Sequence, residues 1–112
     1  MSSSYDYLDF VLDQLSSLDE IDYRYMFGNF VIYYHGKVAG FIIDDRLLIN
    51  AVPTALALMP DAEHVPPFPG GIIMIMIGDY LEDRDFMNNL FNKIYYELSF
   101  PKPKRRKRSV SS

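Results

Sequence analysis

The chain has 112 residues, of which 49% are apolar and 15% aromatic, so it can bury the core of one domain of ordinary size. It has no cysteine, which excludes disulfides and thiolate-bound metals. The net charge of −4 conceals an asymmetry, because residues 1–100 carry −10 from fifteen acidic and five basic side chains, and the remaining segment carries +6. Such an acidic globule repels phosphate backbones, so any nucleic-acid contact is expected from the basic tail or from a local patch.

Nothing in the sequence indicates secretion or membrane insertion. The first ten residues have neither a basic region nor a long apolar run, so they do not resemble a secretory signal. The longest apolar run, residues 72–77, has six residues, whereas a membrane-spanning helix needs about 20. We therefore expect a soluble protein of the cytoplasm, which the absence of cysteine also fits.

The first predicted element is an amphipathic helix over residues 4–17. Its apolar side chains recur at spacings of three and four residues, which places them on one face. They are Tyr5, Leu8, Val11, Leu12, Leu15 and Leu18. Ser3 or Ser4 can cap the N-terminus, and the acidic side chains of the opposite face are typical of a solvated surface.

The stretch 23–50 is rich in aromatic and β-branched residues and is interrupted by turn residues. This pattern predicts an antiparallel meander of four strands. The predicted strands cover residues 23–27, 30–34, 38–43 and 46–50. The predicted turns lie at Gly28-Asn29, His35-Gly36 and Asp44-Asp45, and we expect positive φ at Gly28 and Gly36.

A fifth strand and a second long helix are predicted in the remainder of the globule. Pro53 can begin a short helix that Pro60 ends, and the Pro- and Gly-rich residues 61–71 are predicted to form a loop. Residues 72–77 have no polar alternation, which predicts a strand that is either buried on both faces or covered on one face by a partner chain. We expect self-association, because the chain offers few elements to cover both faces. Apolar spacing predicts the last helix over residues 83–98.

Residues that could carry catalysis or bind a metal are few and poorly arranged. His35 and His64, the two histidines, lie at a predicted hairpin tip and in a loop, without neighbours at metal-ligand spacing. Asp44 and Asp45 fit a turn better than a shared acid–base site. No nucleophile, phosphate-loop or dinucleotide motif is present. We predict no catalytic residue, no metal site and no cofactor, and hence no enzyme.

The meander contains a distinctive series of residues: Arg24, Met26, Phe27, Gly28, Tyr33, Gly36, Lys37, Ile42, Asp44, Arg46 and Leu47. In order and spacing this series resembles the N-terminal domain of the TfoX/Sxy family of bacterial competence regulators. The resemblance covers roughly residues 4–98. The sequence departs from the family pattern at Asn29, where a second glycine is usual, and at Asn50, where lysine is common.

The resemblance implies a two-layer α+β fold, similar to secretion-chaperone-like domains, with helices packed on an antiparallel sheet of about five strands. It also implies a regulatory protein without enzymatic activity that acts with another protein, as competence regulators do with the cyclic-AMP receptor protein. The C-terminal helical domain of full-length regulators has no counterpart here. We therefore expect a stand-alone domain of the N-terminal type over residues 1–100, followed by a disordered basic tail over residues 101–112.

Three functions are compatible with these features. The first is a regulatory module that binds another protein, such as a transcription factor, through its sheet or an edge strand. The second is an acidic, chaperone-like homodimer that holds an extended partner segment by strand addition. The third is a nucleic-acid-associated protein anchored by its tail. An affinity pull-down with and without residues 101–112 would separate them.

The tail carries six basic side chains: Lys102, Lys104, Arg105, Arg106, Lys107 and Arg108. They either contact the phosphates of a nucleic acid or an anionic membrane, or fold back on the acidic globule. Six phosphate contacts would give a log–log slope of affinity against salt of roughly −4 to −5, without sequence preference. Deleting residues 101–112 should then abolish retention on a DNA column with little change in melting temperature. A DNA affinity that survives the deletion would place the site on the globule.

Overall fold

The structure is a computed structural model that describes residues 3–101, so the six basic side chains of the predicted tail lie outside the described residues. The helices are α1 (Tyr5–Gln14), α2 (Pro53–Leu58) and α3 (Arg84–Ile94), with short 3-10 turns at Gly78–Glu82 and Tyr95–Glu97. The strands are β1 (Ile21–Met26), β2 (Asn29–Tyr34), β3 (Lys37–Ile42), β4 (Leu47–Asn50), β5 (His64–Val65) and β6 (Met74–Met76). They form one antiparallel sheet in the order β1-β2-β3-β4-β6-β5.

The α+β class and the antiparallel sheet are as predicted, with one additional strand. The extra strand, β5, comes from the segment predicted as a loop and pairs with β6. The fifth predicted strand is shorter than residues 72–77, because only Met74–Met76 pair with neighbours and Ile72 and Ile73 are exposed. The helices α1 and α3 are also shorter than predicted, and α3 continues as a 3-10 turn at Tyr95–Glu97.

Three consecutive turns of two residues join β1 to β4. Both residues of each turn have positive φ: Phe27 (51°) and Gly28 (86°), His35 (49°) and Gly36 (82°), Asp44 (54°) and Asp45 (56°). Turns with this backbone match the right-handed twist of the flanking strands. The prediction for Gly28 and Gly36 is confirmed. The position of the first turn was predicted wrongly, because Phe27 belongs to the turn and Asn29 begins β2.

The side chain of Asn29 ties the N-terminal segment to two of these turns. Its Oδ1 accepts hydrogen bonds from the Ser3 hydroxyl (2.8 Å) and from the backbone N–H of Asp44 (3.3 Å). The N–H of Ser3 in turn donates to the Gly28 carbonyl (2.8 Å). Asn29 therefore fixes the start of α1 beside the β1–β2 and β3–β4 turns.

The core lies between the helices and one face of the sheet. Strand alternation sends Phe30, Ile32 and Tyr34 of β2 toward the helices, and all three are buried. The helical elements and their ends supply Leu8, Val11, Leu15, Ala55, Leu81, Met87, Leu90, Phe91 and Ile94. This is the two-layer arrangement that the sequence predicted.

The apolar strand β6 lies inside the sheet, between β4 and β5. Met74 and Ile75 are buried within the single chain, as is Ile77 directly after the strand. The short strand β5 covers the side of β6 that the prediction left bare. The burial of β6 within one chain removes the argument for self-association that was based on this strand. Self-association stays a prediction, and it would have to involve another part of the surface.

Substitutions at Gly36 test the backbone of the second turn. A Cβ at this position would lie 3.5 Å from the Phe100 ring, an ordinary contact, so the cost of a side chain comes from the backbone. Because strain at a positive φ costs about 1–3 kcal/mol, Gly36→Val should lower the free energy of unfolding by that amount, and Gly28→Val likewise. Gly36→Asn should cost much less, since asparagine adopts this conformation readily. Urea denaturation compares the variants, and equal stabilities for Gly36→Val and Gly36→Asn would contradict the argument.

Candidate functional site

Strand β1 forms an open edge of the sheet. It pairs with β2 along its whole length, and no strand among residues 3–101 lies on its other side. The opposite edge, β5, has only two residues. An open edge presents unpaired backbone N–H and C=O groups that can pair with another chain. In the described part of the chain, β1 is therefore the main place where a further strand could be added.

The register of the β1–β2 hairpin decides which backbone groups of β1 point outward. The N–H of His35 donates to the Glu20 carbonyl (2.9 Å), and Met26 closes the two-residue turn. Because bonded positions alternate along an antiparallel pair, the even-numbered residues of β1 bond to β2. The backbone groups of Tyr23 and Tyr25 consequently face away from the sheet.

The side chain of Asp22 covers part of this edge. Its Oδ1 accepts a hydrogen bond of 2.8 Å from the outward N–H of Tyr23. Charged side chains at an edge protect a sheet against pairing with the wrong chain. An incoming strand that bonds to the Tyr23 N–H would have to displace this carboxylate, whereas pairing at Tyr25 would leave it in place.

Three tyrosines form an exposed aromatic strip beside β1. Tyr23 and Tyr25 of β1 and Tyr5 of α1 surround the buried ring of Phe30, with centroid distances of 6.1, 5.7 and 5.1 Å. Tyr23 is 43% exposed, Tyr25 is 56% exposed and Tyr5 is 57% exposed. We call them the tyrosine strip. Exposed aromatic surface of this kind binds apolar side chains, and its faces also attract cations.

Phe27 stands at the tip of the β1–β2 hairpin, next to the half-exposed Met26. Its side chain is 96% exposed, and its φ of 51° lies in the left-handed region. Bulky side chains rarely adopt this conformation, for which asparagine or glycine is suited. Neither packing nor backbone geometry accounts for phenylalanine here, and residues held in such conformations concentrate at functional sites.

A cleft of about 580 Å³ lies at the other end of β1. It is lined by Glu20, Ile21, Asp22, Tyr23, Arg24, Tyr33, Gly36 and Pro101. Its charged groups are the carboxylates of Glu20 and Asp22 and the guanidinium of Arg24. Pro101 is the last residue that the structure describes, so the described chain ends in the wall of this cleft.

Hydrogen bonds and ring contacts guide the C-terminal segment to the cleft. The Lys37 ammonium donates to the Tyr95 carbonyl (3.2 Å) and lies 4.0 Å from the centroid of the Tyr95 ring. The N–H of Val38 donates to the Ser99 carbonyl (3.0 Å). Phe100 then packs beside the β2–β3 turn, which brings Pro101 to the start of β1.

Glu97 joins the same segment to α2. Its carboxylate accepts hydrogen bonds from the hydroxyl of Thr54 and from the Thr54 N–H, the latter at 3.0 Å. These two hydrogen bonds lower the pKa of the Glu97 carboxyl group. Since Val52, at the N-cap of α2, gives no side-chain hydrogen bond, Glu97 takes over the role of a capping side chain.

The structure divides the predicted family motif between the two ends of the sheet. One end carries Met26, Phe27, Gly28, Asp44 and Arg46. Gly36 lies at the opposite end, and Arg24 lines the cleft. Arg24, Tyr33 and Gly36 meet in the lining of the cleft, whereas the other motif residues shape turns and strands elsewhere. The motif does not include Tyr23 and Tyr25. Their spacing of two residues in the sequence indicates that they share one face of a strand, but it does not indicate that this strand lies at an open edge.

The described residues offer little for metal chemistry. No group of three or more histidine, aspartate or glutamate side chains within residues 3–101 is placed to hold a metal ion. His35 packs against the Tyr34 ring (4.6 Å), and His64 begins β5 at the other edge of the sheet. Within the same residues, no helix has the length and apolar character required to cross a membrane.

Comparison with known proteins gives one relative without an assigned function. The chain is 27% identical, over 107 residues, to the uncharacterized 12.7 kDa protein in the trpE 5′ region of Spirochaeta aurantia. The alignment covers 96% of this chain and 93% of that protein. No family model matches the sequence. No solved structure matches it significantly.

Replacing Phe27 by asparagine tests whether this residue is present for stability. Asparagine followed by glycine is the preferred pair for such a turn, and a bulky residue in the left-handed region costs about 1 kcal/mol or more. Phe27→Asn should therefore raise the free energy of unfolding, by about 1 kcal/mol. His35→Asn is the matched control, because His35 occupies the same turn position but packs on Tyr34, so its replacement should give no net gain. Urea denaturation of both variants decides, and a less stable Phe27→Asn would mean that the phenylalanine stabilises the turn.

Proposed function

We propose that this chain is a non-enzymatic module that binds an extended segment of another protein alongside β1. The observation that carries the proposal is the open edge of β1, flanked on one side by the tyrosine strip and at its end by Phe27. Backbone groups of an edge strand provide affinity for an incoming strand, and side-chain pockets provide specificity.

The geometry of β1 defines what the bound segment has to supply. Its backbone would pair with the outward groups of Tyr25 and, once Asp22 has moved, of Tyr23. Alternate side chains of an added strand face opposite sides of the sheet. On the helix side they would meet the tyrosine strip, which favours apolar or aromatic residues. On the other side they would meet Asp22 and Arg24, which favours charged residues.

Phe27 extends this surface beyond the end of the strand. A fully exposed phenylalanine at a rigid two-residue turn is a preorganised apolar anchor, since the turn fixes its backbone before binding. Aromatic side chains that fill a partner's pocket dominate the binding energy of many interfaces. The partner is thus expected to bring an apolar pocket close to its extended segment.

A regulatory role of the kind expected from the resemblance to the TfoX/Sxy family would act through this interaction, with a transcription factor as one class of partner. A chaperone-like role would use the same chemistry, because holding an extended segment is also strand addition. Pairing of two copies of this chain through their β1 strands would also be strand addition. The three cases share a requirement for the outward groups of Tyr25 and for Phe27.

The test combines two edge variants with one control on the same globule. Tyr25→Pro removes an outward N–H without removing a bond to β2, since proline is accepted at the open edge of a sheet. Phe27→Asn removes the apolar anchor and is expected to be at least as stable as the natural chain. Tyr96→Asn removes an aromatic side chain of the 3-10 turn after α3 that is 82% exposed, and it serves as the control.

The expected result is that one protein is captured from the native lysate by the natural chain and by Tyr96→Asn, and that both edge variants lose it. Removing a buried anchor costs about 2 kcal/mol or more, so affinity for the purified partner should fall by more than about tenfold. If two copies pair instead, sedimentation should give a dimer that Tyr25→Pro dissociates. Unchanged capture by both edge variants, with circular dichroism showing that they are folded, would refute the proposal.

A further inference from the structure

The described chain ends where its most basic segment begins. Pro101 lines the cleft at the start of β1 together with Glu20 and Asp22. The next residue, Lys102, is the first of six basic side chains within residues 102–108. The described chain therefore ends at a wall that carries two carboxylates, and a basic stretch follows in the sequence.

The acidic residues of the cleft and the first two lysines of the tail have the same separation in the sequence. Glu20 and Asp22 are two residues apart, and so are Lys102 and Lys104. Glu20 directly precedes β1 with a φ of 61°, and it lines the same cleft as Asp22. Lys102 precedes Pro103, and a residue before proline is restricted to extended conformations.

The distribution of charge over the whole chain also favours binding of the tail to the globule. Residues 1–100 carry −10, and the tail carries +6. A tethered segment also meets its site at an effective concentration in the millimolar range, which a separate basic peptide would need to match. Arg24 also lines the cleft, so its wall carries one positive charge beside the two carboxylates.

We propose that the basic tail of this chain binds its own cleft, with Lys102 and Lys104 against the carboxylates of Glu20 and Asp22. In this position the tail lies along the first residues of β1 and covers the open edge there. Its consequence for binding rests on the proposed function, because an incoming strand would have to displace the tail. Partner affinity should then rise with added salt up to the point where the tail is released, since salt screens exposed ion pairs.

The experiment uses the full chain and exploits its lack of cysteine. A nitroxide attached to Ser109→Cys broadens the amide signals of residues that the tail approaches. We expect stronger broadening at Asp22 and Tyr23 than at Val65, which lies on the opposite edge of the sheet. Reversing the two acids, Glu20→Lys with Asp22→Lys, should remove this difference. Because exposed ion pairs are worth about 0.2–1 kcal/mol each, the docked-to-released ratio should fall by about two- to tenfold or more.

A charge-reversal rescue and a matched control decide the outcome. Adding Lys102→Glu and Lys104→Glu to the reversed acids should restore the broadening of β1. Asp61→Lys with Glu63→Lys reverses two exposed acids of the same spacing near β5 and should leave the pattern unchanged. Broadening of β1 that is insensitive to reversal of Glu20 and Asp22 would overturn the proposal.

A mixed sample separates docking within one chain from docking between copies. Spin-labelled chains without isotope are combined with isotope-labelled chains without spin label, and broadening of β1 in this sample would mean that the tail binds another copy, which overturns the proposal. The proposed function is judged separately by the capture experiment with Tyr25→Pro and Phe27→Asn, neither of which alters the tail or the two acids. Each of the two proposals can therefore be refuted without refuting the other.

Discussion

The register of the β1–β4 meander is the constraint on which the rest of the structure depends. Three successive turns of two residues set the pairing of each strand with the next, and the register of β2 with β3 shifts by one residue between Ile32 and Tyr33. That pairing sends Phe30 and Ile32 into the core and turns the backbone groups of Tyr23 and Tyr25 outward. A slip of one residue would exchange the two faces, and both the core and the open edge would be lost.

The two edges of the sheet differ in how well their neighbouring strands are covered. At one edge, the two residues of β5 shield β6, whose buried side chains would otherwise be a liability for aggregation. At the other edge, β1 remains open over six residues, and the Asp22 carboxylate blocks only one of its outward donors. Protection at one edge and access at the other is the pattern expected of a domain that binds an extended chain at a defined place.

Phe27 and the C-terminal segment stand at opposite ends of β1 and are held in different ways. Phe27 is exposed on a turn that the β1–β2 register fixes. The segment that ends at Pro101 is held by Lys37, Val38 and the Glu97–Thr54 hydrogen bonds, all outside β1. If the tail docks as proposed, an incoming strand would meet Phe27 at one end of β1 and the chain's own basic residues at the other, and occupancy of the edge would respond to charge.

The sequence by itself determined the α+β class, the antiparallel meander, the second and third turns and the positive φ of Gly28 and Gly36, because these depend on residues that are neighbours along the chain. It did not determine that Phe27 is a turn residue, since phenylalanine normally favours strands and only the pairing of Met26 with Asn29 places it at the tip. Only the tertiary structure decided that β5 covers β6, that no strand among residues 3–101 lies outside β1, and that Pro101 and Glu20 line the same cleft. Strand order and the meeting of distant segments result from the packing of the whole chain, and no local pattern of residues encodes them.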